Sequence, residues 1–311
     1  MPSPTFTGFA QNLQNEERLN QGLAFGNSAD KIEELWRCIP ILVQPGIGES
    51  LTVGNTTDVS ALSSFKAIGA PPSGGTPGSS GVTFNFRRAM SLSEPDVTLI
   101  QANQDPNSIL DADNAARKTS LLRLLGETLL NGDDTDANGF LGWENMVDGT
   151  SRTSVPFIGP GAGQVLETLY RIDDTCASGP LGNRASAFVT TPHGRRNIIR
   201  AAQLNGFDLE YRLVHGLTTE VPYFAGRPVI ATSADLTDPQ NPNQIPVYAV
   251  DFSYVFIVAT TGSSRSRGIE VRRMQLQTEG SVGFLKWFHG ACLIRHPAAL
   301  VRSLITVSLS S

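Results

Sequence analysis

The sequence predicts an α+β subunit organised around one long helix, with a strand-rich final third and a hairpin projecting from the chain ahead of the helix. Three observations carry that prediction. Leu121, Leu122, Leu124, Leu125, Leu129 and Leu130, with Ala115 and Ala116 a turn or two earlier, repeat at three- and four-residue steps, as one apolar face of a helix requires. Residues 247–304 fall into apolar or alternating runs of strand length, clearest where Ile269 and Val271 alternate with Glu270 and Arg272. Between two strand-like stretches lie residues 69–81, GAPPSGGTPGSSG, which bury nothing and hold no helix, so they read as a long hairpin tip.

At 311 residues and 40% hydrophobic content the chain is long enough for two compact units or one multi-lobed subunit with a proper core. Its net charge of -5 excludes gripping nucleic acid as the main task, since that task needs a basic surplus. Any genome contact is expected to be local and weak. Cys38, Cys176 and Cys292 are odd in number, far apart and without a Cys/His ligand spacing, and they read as reduced core residues. The first residues show no basic and apolar leader pattern, and the longest apolar run, 254–259, is too short to cross a bilayer, so a cytoplasmic protein with no membrane partner is expected.

In chain order, residues 1–27 are polar with scattered Phe6, Phe9, Leu13, Leu19, Leu23 and Phe25, which suits an arm that orders by lying across another surface. A short amphipathic helix over 28–37 presents Ile32, Leu35 and Trp36 on one face. Pro40, Pro45, Gly46 and Gly48 break the chain before strand-like 51–53 and 65–68; beyond the tip, Val82, Phe84 and Phe86 alternate with Thr83, Asn85 and Arg87. The long helix is capped by Asn107 or Ser108, carries Asp111 and Asp113 in its first turns, and leaves through a left-handed Asn131-Gly132 exit. Residues 150–163 form a Gly/Pro-rich connection, followed by a helix over 164–175 with Val165, Leu166, Leu169 and Ile172 inward, a buried strand over 185–190 and a helix over 192–204. Four strands complete the chain, over 247–252, 254–259, 268–275 and 284–304.

Five segments of this order resemble the major capsid proteins of tailed bacteriophages with the HK97-type fold. They are the helix that ends in Leu130-Asn131-Gly132-Asp133 before a polar turn and Gly139-Phe140-Leu141-Gly142-Trp143; the hairpin at 49–92, where that family has its E-loop; the strand, Thr191-Pro192 turn and helix of a central lobe; the aromatic-x-Gly-x-Pro-Val stretch at 224–229; and the closing FLKWFHGACLIRHPAALVRSLI. The resemblance implies an HK97-type capsid fold with a spine helix, a long-stranded sheet, a central lobe, an extended E-loop hairpin and an N-terminal arm. The implied divisions are 1–37 arm with short helix, 38–48 linker, 49–92 hairpin, 93–157 peripheral lobe with the spine helix, 158–245 central (axial) lobe, and 246–311 returning strands and closing segment. It implies a structural protein, not an enzyme, that self-assembles through pentamers and hexamers into an icosahedral head enclosing double-stranded DNA, built in the host cytoplasm and located in the virion. Its other partners would be a portal, separate scaffolding or decoration proteins, and weak non-specific contact with DNA. An encapsulin-like nanocompartment shell is the nearest alternative, and a metal-dependent or hydrolytic enzyme the alternative of another class.

The chemistry-bearing residues favour structural roles. Asp134-Thr135-Asp136-Ala137-Asn138-Gly139 matches the first half of an EF-hand loop, but Asn145 stands where the bidentate glutamate belongs and Glu144 is one place early, so a helix-exit turn is expected. His193, His215, His289 and His296 show no metal-ligand spacing, Ser28-x-x-Lys31 reads as a helix cap, and Gly46-x-Gly48 lacks the third glycine of a phosphate loop. No catalytic, cofactor-binding or metal residue is assigned. Lys66, on the hairpin, is a candidate for the lysine to asparagine crosslink of some relatives, yet strand lysines are mostly solvated edge residues. Arg87-Arg88, Arg195-Arg196-Arg200, Arg265-Arg267 and Arg272-Arg273 remain, and one or two of these clusters are expected to meet acids of a neighbour such as Asp96, Asp133 or Asp238.

Overall fold

The computed structural model describes residues 34–45, 48–58, 78–93, 106–135, 138–147, 154–178, 183–214, 217, 219–232, 243–262, 267–275 and 282–306. The arm, Ile32, the hairpin tip with residues 65–68, Asp96, Asp136, His215, Asp238 and Arg265 lie outside those residues.

Helix α1 (Glu34–Cys38) buries Leu35 and Trp36. The chain continues through β1 (Ile41–Val43), β2 (Ser50–Asp58), β3 (Gly78–Asn85) and β4 (Arg87–Ser93) to the long helix α2 (Pro106–Asn131). This helix begins before the expected caps because Pro106, with a preset φ and no N–H to satisfy, suits the first turn; Asn107 and Ser108 therefore fall inside it. Leu121, Leu122, Leu125, Leu129 and Leu130 are all buried, whereas Leu124 lies off the side of the stripe and is 47% exposed.

After the short α3 (Trp143–Met146) come α4 (Ala162–Ala177), β5 (Ala187–Thr190), α5 (Pro192–Leu204), β6 (Glu210–Leu213), β7 (Glu220–Phe224) and β8 (Arg227–Ala231). A two-residue turn at Ala225 (φ 49) and Gly226 (φ 78) joins β7 to β8, with both central residues left-handed as a tight hairpin demands. The last strands are β9 (Gln244–Val250), β10 (Val255–Ala259), β11 (Ile269–Gln275), β12 (Val282–Ile294) and β13 (Leu300–Thr306). The single run expected over 284–304 is broken at the 3-10 turn Pro297–Ala299, where proline cannot donate to a ladder.

Two sheets result. The 13-residue β12 is the backbone of the first. Phe288 pairs with both Ile269 and Ala89, and Gly290 with both Ala259 and Arg87, so β11 and β10 follow one another along one edge of β12 while β4 occupies the other. Strand β1 adds to β10 in parallel. The second sheet has the order β13-β9-β5-β8-β7-β6.

The inner strands of this second sheet carry apolar side chains on both faces. Ala187, Val189, Tyr248 and Val250 join the core formed with α2, α3 and the first sheet, whereas Phe188, Val247, Ala249 and Val301 join the core under α4 and α5. Continuous apolar runs such as Ile245-Pro246-Val247-Tyr248-Ala249-Val250 are what burial on two faces requires. Between the cores, Tyr248 donates a hydrogen bond to Glu144, which also pairs with Arg302 at 2.8 Å, so α3 is fastened to the sheet.

Candidate subunit interface

Strands β2 and β3 form the projecting ribbon, paired from Ser50↔Asn85 to Asp58↔Gly78 with an irregularity between Thr56 and Asp58. Its root is built into the core. Phe84 and Phe86 are each 5% exposed, in the same cluster as the α2 leucines, and the Phe86 ring meets His289 edge-on at 5.9 Å. Isolated ribbons are marginal, and a two-stranded ribbon cannot cover such aromatic groups by itself; the chain's own core covers them. The tip lies outside the described residues.

The acidic turn after α2 holds this root. Asp134 sits at φ 66 and accepts from Asn85 Nδ2 at 2.6 Å and from Arg87 Nε at 3.2 Å. Asp133 accepts from the Thr135 amide at 3.1 Å, the Thr135 hydroxyl at 2.7 Å and Asn138 Nδ2 at 2.9 Å, bonds that hold its carboxyl below the usual carboxylate range. The residues that would close a calcium loop are engaged elsewhere: Glu144 with Tyr248 and Arg302, and Asn145 Nδ2 with the Gly132 carbonyl at 2.8 Å. We expect Asp134→Ala to cost about 1–3 kcal/mol by removing the carboxylate that Arg87 Nε and Asn85 Nδ2 donate to. Chemical unfolding should give the same loss in calcium and in chelator; a calcium-dependent difference would restore the metal reading.

The expected left-handed exit at Gly132 is corrected. The positive φ values fall on Asp134 and on Gly139 (φ 85), and Gly132 is needed for space. A Cβ there would stand 2.0 Å from the Phe140 carbonyl oxygen and 2.7 Å from that of Thr128. The chain passes so close because the Gly142 amide donates to the Gly132 carbonyl at 2.7 Å, folding the segment after the turn back onto the helix end. A cleft of about 280 Å³ beside it is lined by Arg88, Leu124, Glu127, Asn131 and Asn138, among others.

His289, His296 and the three cysteines serve the fold. His289 Nδ1 lies 2.8 Å from the Thr260 hydroxyl, and burial, with Arg88 nearby, lowers its pKa. His296 Nδ1 accepts from the Ala298 amide at 3.1 Å, and His193 is exposed on the first turn of α5. Cys38, Cys176 and Cys292 are free, and burial pushes each thiol up to about 12, far from a reactive thiolate.

One arginine from each of three clusters is bound within the chain. Arg87 binds Asp134, Arg195 binds Glu34 at 2.7 Å, and Arg267 donates to the Trp36 and Ile39 carbonyls. Glu34 Oε2 also accepts from the Ala231 amide at 2.9 Å, which ties the start of α1 to the second sheet. At the far end of that sheet β6 is an edge strand with all four residues exposed; Leu213, 62% exposed, and Tyr211 lie with Tyr170, Leu204 and Phe207 among the large apolar side chains left uncovered. Open strand edges with apolar side chains favour pairing with another chain.

No family model matches the chain, and no curated protein matches it. Solved structures do. An encapsulin chain from Synechococcus elongatus PCC 7942, in the holo-SrpI complex, superposes with a TM-score of 0.62 at 11% identity over 89% of both chains. The capsid of a native GTA particle gives 0.61 at 13% identity over 92% of both chains. A chain of Gordonia phage Cozz gives 0.54 at 14% identity, covering 99% of this chain and 96% of its own. The fold is the HK97-type capsid fold. In its terms α2 is the spine helix, β2 and β3 are the E-loop hairpin, and β12 is the long strand of the sheet behind the helix. The HK97-type helix exit is the acidic turn that grips the hairpin root, a link that sequence spacing alone did not expose because it depends on Asn85 and Arg87 folding back across the chain.

Proposed function

We propose that this chain is the repeating subunit of an icosahedral phage head that encloses double-stranded DNA. The reading is supported by coverage: the capsid chain of the native GTA particle covers 92% of this chain and the Gordonia phage chain 99%. A shell subunit needs surfaces directed at several neighbours. The hairpin and the apolar edge at β6 are two such surfaces, on different parts of the molecule. In this reading residues 1–37 are the arm, 93–157 the peripheral lobe, 158–245 the central lobe and 246–311 the returning strands, and assembly proceeds through pentamers and hexamers around a portal. Encapsulins share the fold, and their cargo is the difference that an experiment reads.

Electron microscopy of the expressed protein tests the proposal. Closed particles with nucleic acid inside are expected when DNA packaging is intact; protein cargo in place of nucleic acid would favour the nanocompartment, and a purified monomer with turnover would end the shell reading. The hairpin supplies a second arm. Because Phe84, Phe86 and β4 belong to the subunit's own core, the replaceable part is the outer ribbon, residues 54–80. Exchanging it for a short Gly/Ser turn should leave a cooperatively folded subunit that closes no shells. Normal shells from that variant would remove the hairpin from the interface.

A further inference from the structure

We infer that Arg88 and Arg272, both stacked over the Trp287 indole, form the contact by which one subunit grips a carboxylate of a second copy; the inference rests on the shell reading. Successive residues of β12 point to opposite faces of the first sheet, and Phe288 faces the spine helix, its ring 6.1 Å from that of Phe140. Trp287 is therefore on the face away from the helix. It pairs directly with Glu270 on β11 and Met90 on β4. Arg272, paired with Leu285, and Arg88, paired with His289, are its diagonal neighbours from the two opposite edges of β12, within the reach of long side chains. Their guanidinium carbons lie 5.0 Å and 5.2 Å from the indole centroid. At these distances the ring attracts each guanidinium and leaves its N–H donors available to a planar acceptor.

The surroundings define what the pair takes. Arg87, Arg195 and Arg267 are bound within the subunit, but Arg88 has no carboxylate partner among the described residues, and Arg272 shares Glu270 at 2.6 Å while remaining exposed. Met90 beside them is 56% exposed, which adds an apolar flank of the sort a protein partner covers. Glu270 within the patch and the net charge of -5 weigh against a polyanion such as DNA. The same chain offers the complement, for Asp133 is exposed and its carboxylate accepts hydrogen bonds from Thr135 and Asn138. A chain that presents a cationic pair over Trp287 and an exposed acid at the helix exit carries both partners of such a contact, and bidentate pairing between copies sets the register.

Arg88→Gln with Arg272→Gln tests this, with Arg88→Lys and Arg272→Lys as the conservative pair. Trp36 and Trp143 are fully buried, so acrylamide quenching reads Trp287. The Gln pair should unfold at the wild-type midpoint as a free subunit, yet lose at least about tenfold in closed particles or oligomers at low salt and lose the salt dependence that the wild type shows. Quenching should fall on assembly in the wild type, and the Lys pair should recover assembly in part. Wild-type assembly and quenching in the Gln pair would overturn the inference alone. Normal empty shells that fail to retain DNA would replace it by a nucleic-acid contact. Arginine-dependent small oligomers without shells would sustain it and defeat the shell reading; a wild type monomeric at every concentration would defeat both.

Discussion

Replacing Leu125 by alanine is expected to lower the unfolding free energy of the subunit by about 2–5 kcal/mol, the range for a leucine whose removal leaves a cavity. Leu125 is 1% exposed and sits midway along the spine-helix stripe, in the cluster that also holds Trp36, Phe288 and Leu293. These residues come from helix α1 and strand β12, so neither element can move to fill the space without disturbing the other. Leu124→Ala, one residue away and half exposed, is the internal control and should stay within about 0.5 kcal/mol. Denaturant titration of the free subunit separates the two. Equal effects would mean that the helix is rotated from the position described.

Gly132→Ala is the second large effect, expected to cost about 3 kcal/mol or more. The obstacle to a methyl group is the backbone of Phe140 and of Thr128, which cannot swing aside as a side chain would. Making room means breaking the Gly142 to Gly132 hydrogen bond, which loosens the turn that carries Asp133 and Asp134. Gly206→Ala provides the comparison: Gly206 is left-handed at φ 83 with no atom within 4 Å of the added carbon, so only the conformational cost of about 1–2 kcal/mol remains. If the proposed shell reading holds, particle formation should follow the same order, because the hairpin root depends on that turn. A Gly132→Ala subunit as stable as Gly206→Ala would show that the turn relaxes freely.

Much of the architecture was legible in the sequence because local signals agreed with tertiary need. The helix Pro192–Leu204 is read to its ends: Thr191 accepts from the Gly194 amide at 3.0 Å and Pro192 follows it, the pattern that starts a helix. The apolar helix faces and most of the late strands were equally clear. Less legible was what depends on which element meets which. Phe84 and Phe86 advertise an apolar strand face but not the owner of the surface that covers it. Arg87 and Arg88 are adjacent in sequence, and only the register of β4 against β12 sends the first to Asp134 and the second to Trp287. Gly132 carries the mark of a left-handed cap, and its actual reason, the nearness of Phe140, arises from a chain reversal eight residues on.

The second sheet, walled on both faces, has a consequence for how the subunit comes apart. Val189 and Tyr248 serve one core while Phe188 and Ala249, their immediate chain neighbours, serve the other. Neither core can melt while its partner stays solid, because losing the strands exposes both at once. Damage on the spine-helix side is therefore transmitted to α4 and α5, and the subunit behaves as one cooperative block whose independent play is confined to what projects from it.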